Sequence, residues 1–143
     1  MGDVKLVLDT DVVVAAMRSP SGASAAILRG ARHGGATLLV SVALALEYEA
    51  VCQKAEHRSA AGLSSREVDA FVTAVIGLAE PVVAHFLWRP QLHDPSDEMV
   101  LEAAINGHAD ALVTFNVRDF GTIPSQFGID VLLPREAIRR IKV

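Results

Sequence analysis

Cysteine occurs once in this chain, as Cys52. No internal disulfide can form, which fits a protein of the reducing cytoplasm. Five scattered histidines, none in an HxxxH or HxH pair, do not supply the missing ligands of a zinc site. Long apolar runs are also absent. Hydrophobic residues make up 51% of the chain, but in short stretches broken by Gly, Pro and charge, none near the about 18 residues of a membrane span. No basic-then-apolar leader opens the sequence, so neither export nor a membrane partner is expected. An excess of positive charge is lacking too. The net charge is −4, which excludes a simple basic coat for nucleic acid. A metal-dependent nuclease escapes that objection, because bound cations make an acidic site attractive to phosphate. Neither GxGxxG nor GxxxxGK[ST] is present, and no Ser or Cys sits in a recognisable nucleophile elbow. What remains is the chemistry of carboxylates with hard cations, Mg²⁺ or Mn²⁺.

What is present is alternation. The run Val4–Leu8 reads as a strand buried on both faces, and it ends abruptly at Asp9-Thr10-Asp11. A short helix over Val12–Met17 is predicted to break at Ser19-Pro20-Ser21-Gly22, and a second spans Ala23–His33 up to Gly34-Gly35. Thr37–Val40 is a strand, and Ser41 caps a helix reaching about Lys54. Ala55–Leu63 reads as a loop or a frayed helix end. Ser64-Ser65-Arg66-Glu67 fits a capping box, opening a helix that Pro81 ends, with a strand over Val82–Phe86. Asp94-Pro95 starts a helix closed by Gly107. Strands over Ala111–Phe115 and Ile129–Leu133, the polar turn Asn116–Asp119 between them and a last helix over Pro134–Ile141 complete the pattern. The 143 residues, without repeat or linker, read as one α/β domain with a parallel sheet and helices on both faces.

Ligands of such sheets bind at the carboxyl ends of the strands, so acids placed there need an explanation. Asp9 either caps the following helix or serves a site. Glu47 lies among Ala43, Leu44 and Val51 at helical spacing, so it is either an acid on the buried face or an exposed one beside Glu49. Asp94 reads as a helix cap, whereas Asp97 in the first turn suits both the macrodipole and a metal. Asn116 and Asp119 form a turn that needs no function, yet it follows a strand end. Thr114, near that end, offers a hydroxyl to a carboxylate or a water. Arg18, Lys54, Arg58, Arg66 and Arg118 are candidate cations for holding phosphates, with solvated surface charge the favoured reading.

Four segments, in order, resemble the PIN-domain nucleases, closest to the small prokaryotic VapC-type toxins and the toxin-type PIN group. They are Leu6-Val7-Leu8-Asp9-Thr10, Leu46-Glu47-Tyr48, Asp94–Ala104 and Ala109–Phe120. The resemblance implies a three-layer α/β/α sandwich with a central parallel sheet. It also implies hydrolysis of single-stranded RNA with Mg²⁺ or Mn²⁺, an antitoxin partner and a homodimer. By position Asp9, Glu47 and Asp97 match the core acids. Asn116 stands where Asp is usual, with Asp119 nearby, and Thr114 matches a supporting hydroxyl residue. Asp11 stands where Asn is usual. Two other readings stand beside this one. A PIN-like binding module without useful catalysis would fit the two substitutions and the net charge. The DxDx[VT] signature of haloacid dehalogenase-type phosphatases fits Asp9–Val13, but the downstream Lys and closing acidic motif of that family are not recognisable.

Overall fold

The computed structural model describes residues 3–83 and 92–141. Within them five strands form one sheet: β1 (Val4–Leu8), β2 (Ala36–Val40), β3 (Ala79–Pro81), β4 (Ala111–Val113) and β5 (Asp130–Leu132). Their order is β3-β2-β1-β4-β5, and every pairing is parallel. The helices are α1 (Thr10–Arg18), α2 (Ala23–Arg32), α3 (Val42–Cys52), α4 (Ala55–Ala61), α5 (Ser65–Leu78), α6 (Pro95–Asn106), α7 (Ile123–Gln126) and α8 (Pro134–Ile138). The arrangement is the expected three-layer α/β/α sandwich. Among the described residues no helix is long and apolar enough to cross a membrane.

Leu6, Val7 and Leu8 are all buried, as are Ala111, Leu112 and Val113, because β1 and β4 lie inside the sheet with both faces covered. The chain moves from β1 outward to β2 and β3, then returns to β4 on the other side of β1. The order therefore reverses between β1 and β4. In a doubly wound sheet that reversal opens a crevice at the carboxyl ends of the two strands.

Several expected elements differ. Ala55–Ala61 is a helix, closed by Gly62 at φ 70; it buries no residue, so no apolar stripe announced it. Helix α5 stops at Leu78, three residues before Pro81, because Ala79 is already extended (φ −95, ψ 152). Strand β3 follows at once and carries Pro81, which an edge strand tolerates because one side of its ladder is unpaired. Val82 and Val83 lie beyond that strand, and the rest of the expected strand over Val82–Phe86 lies outside the described residues. Strand β4 is two residues shorter than expected, and α8 ends at Ile138 instead of Ile141.

Candidate functional site

The register of β1 against β4 pairs Leu8 with Val113. The next residue on each strand, Asp9 and Thr114, therefore emerges at the crevice between them. The Asp9 N–H donates to the Val113 carbonyl at 2.9 Å. The Thr114 hydroxyl is fully buried and donates to Asp9 Oδ2 at 2.7 Å, while Asp9 Oδ1 accepts the Thr10 N–H at 2.7 Å. Asp9 is thus the cap of α1 and the partner of a strand-end hydroxyl at once.

Asp11 lies in the first turn of α1 and faces the same loop. Its Oδ2 accepts the Phe115 N–H at 3.0 Å and the Asn116 Nδ2 at 3.2 Å, and lies 3.5 Å from the Thr114 hydroxyl. The Asn116 N–H in turn donates to Thr114 Oγ1 at 2.9 Å. This network explains the short β4. The Phe115 N–H goes to a carboxylate instead of a neighbouring strand. Asp11 Oδ1 is buried and has no hydrogen-bond partner among the described residues.

Asp97 arrives from α6. Asp94 caps that helix by accepting the Ser96 N–H at 2.8 Å, Pro95 opens it, and Asp97 follows in the first turn. Helix α6 packs against β1 and β4, which brings the buried Asp97 to the side of Asp9. Burial, and then the charge of Asp9, pushes the Asp97 carboxyl up to about 6. Burial raises Asp9 as well, against the hydrogen bonds from Thr114 and Thr10 that lower it. Asp94 and Asp119 add repulsion at both Asp9 and Asp97. Burial and then Asp9 push Asp11 up to about 6. Among the described residues none of these acids forms an ion pair with a Lys, Arg or His; the pairs present are Arg140–Asp130 and His57–Glu56.

The structure thus gathers Asp9, Asp11, Asp97, Thr114 and Asn116, with Asp94 and Asp119 acting on them through charge. Asp119 itself is exposed in a 3₁₀ turn, Val117–Phe120. Glu47 is half-buried on α3, beside the buried row Leu44, Tyr48 and Cys52, and has no hydrogen bond or ion pair among the described residues. Sequence reasoning overlooked Tyr48. Its buried hydroxyl donates to the Leu8 carbonyl, one residue before Asp9, and so fastens α3 to the end of β1. An aromatic hydroxyl on an otherwise apolar row was the available signal. Of the candidate cations, the Arg18 guanidinium lies 3.3 Å from His57 Nδ1 and Arg58 donates to the Gln53 carbonyl.

Carboxylates are the oxygen donors that hard divalent cations take. Among the described residues no three Asp, Glu, His or Cys side chains converge closely enough to form a metal cage. Mg²⁺ does not need one. It is commonly held by one or two carboxylates, with waters and substrate phosphates completing the shell. Buried acids that pair with no cation among the described residues fit such a group. Residues 5–118 match the family model described as PIN domain. No curated protein matches the chain.

Proposed function

The chain belongs to the PIN-domain family, whose members are in general nucleases, and from that membership we propose that it hydrolyses single-stranded RNA with Mg²⁺ or Mn²⁺. The observation that carries the reading is the pair Asp9 and Asp97. They are two buried carboxylates at the switch point, each raised by burial and by surrounding negative charge, and neither forms an ion pair with a cation among the described residues. Unpaired buried charge is costly, so such a pair calls for a cation. Asp9 and Asp97 would hold it, with Asp119 as a further acid at the opening. A bound divalent ion lowers the pKa of its water and offsets charge on the phosphate.

The chain's own groups then divide the work. Thr114 orients the Asp9 carboxylate, the Asn116 N–H holds Thr114, and Asp11 holds the loop that carries both. Glu47 would complete the shell of the ion or orient the attacking water. In this reading the protein is a cytoplasmic toxin and a homodimer, blocked by a cognate antitoxin. The test is cleavage of a labelled single-stranded RNA in Mn²⁺ by wild type, Asp9→Asn and Asp97→Asn, with calorimetric Mn²⁺ titration of each. Each substitution should cost at least the roughly 10–100-fold lost when a group supporting a metal is removed. A wild type that cleaves no faster than Asp9→Asn and binds no Mn²⁺ would leave only the binding-module reading.

A further inference from the structure

We propose that Phe115 is a stacking platform for an unpaired nucleobase at the edge of the acidic site. This rests on the ribonuclease reading above and adds how the substrate is held. Aromatic residues make up only 5% of the chain. Phe120, on the same loop, is fully buried and fixes the 3₁₀ turn to the core. Phe115 is instead 49% exposed. Its backbone is nevertheless held, because its N–H is bound to Asp11 and its neighbours Thr114 and Asn116 belong to the same network. The result is an open ring on an anchored main chain, one residue from the hydroxyl that holds Asp9. Arg118, exposed in the adjoining turn, supplies a cation on the same loop for the phosphate of the stacked nucleotide.

An exposed aromatic face on a loop that also carries a cation suits a single-stranded nucleotide. Every base has a π-face, so stacking tolerates sequence, whereas bases inside a duplex already stack on each other. Phe115 would therefore select for unpaired substrate and not for a particular base. It acts on binding, outside the acid set that carries the chemistry.

The test measures anisotropy of a short labelled single-stranded RNA in EDTA, with wild type, Phe115→Ala, Phe115→Leu and Phe115→Trp. Phe115→Ala should weaken binding about tenfold, the loss of one base stack. Phe115→Trp should retain binding, and Phe115→Leu, apolar but without a ring face, should not. An RNA with an abasic position at the stacked nucleotide, found by scanning, should bind wild type as weakly as intact RNA binds Phe115→Ala. In Mn²⁺ the alanine variant should raise KM with kcat little changed. Full affinity in Phe115→Ala, rescue by Leu, indifference to every abasic position or absence of RNA binding would each overturn the proposal. Equal binding of single-stranded DNA supports the stack while counting against RNA as the substrate. Ring-dependent RNA binding without cleavage supports the stack and sinks the nuclease reading, so the two fail separately.

Discussion

Thr114 has one hydroxyl proton and two carboxylates near it, Asp9 at 2.7 Å and Asp11 at 3.5 Å. The shorter contact takes the proton, since a hydroxyl–carboxylate bond is strongest well under 3 Å. Asp11 is left with the Phe115 N–H and the Asn116 amide, both on the loop. Its effect reaches Asp9 only through that loop, because the Asn116 N–H holds Thr114 in turn. We therefore read Asp11 as a positioning residue. Asp11→Asn keeps an acceptor for the Phe115 N–H and should leave Mn²⁺ affinity within about threefold, whereas Asp11→Ala should lower it about 10–100-fold, as for other groups that orient a ligand. Calorimetric titration checks both. If Asn proves as damaging as Ala, the site needs the charge of Asp11 itself, as a ligand or as the acid/base of the phosphatase reading.

Between elements, the same logic applies to α3 and β1. Tyr48 gives its hydroxyl to the Leu8 carbonyl in a fully dry position, so the bond fixes the height of α3, and hence of Glu47, relative to the end of β1. Tyr48→Phe removes the donor without changing the packing. It should cost about 1–3 kcal/mol, the penalty of leaving a buried acceptor unmet, read as a lowered urea midpoint at unchanged m-value. An unchanged midpoint would show that the Leu8 carbonyl finds another donor. Contacts of this kind also mark how far the sequence could be read. The apolar run Val4–Leu8 ending in an acid forms the strand whose end carries Asp9, and the capping box at Ser64 forms with both its hydrogen bonds, Glu67 N–H to Ser64 Oγ at 3.1 Å and Ser64 N–H to Glu67 Oε1 at 2.9 Å. Those signals are local, within a few residues of one another. Asp11 and Asn116 are 105 residues apart, and nothing in either segment says that a carboxylate and an amide will meet. Helix α4 was illegible for another reason: it buries no residue, so it has no stripe to show.

Across the whole molecule, the acids at the switch point place a load on folding that depends on pH. Asp11 and Asp97 titrate at about 6 in the folded chain against an ordinary 3.8, and Asp9 is raised in the same direction, burial being the first cause for all three. Between those values the folded state holds more protons than the unfolded one, so unfolding releases protons and stability falls as pH rises. Above the folded pKa values the loss is complete and stability levels off. Glu67, lowered by its hydrogen bonds to Ser64, acts in the opposite sense, but only below its ordinary 4.5 and so under the pH range over which melting is compared. The metal-free protein should therefore melt at a higher temperature near pH 5 than near pH 7.5, and Asp97→Asn should narrow that gap by removing one raised acid. A divalent ion that binds the ionised acids stabilises only the folded state, by an amount that grows with its affinity. Mn²⁺ should thus raise the Tm strongly near pH 7.5 and weakly near pH 5, where protons already occupy the carboxylates. Differential scanning fluorimetry with EDTA or MnCl₂ at both pH values reads all of these effects. A Tm in EDTA that climbs from pH 5 to 7.5 would mean that burial and repulsion do not raise these acids in the folded chain. An equal Mn²⁺ shift at both pH values would place the ion elsewhere on a chain that carries net negative charge.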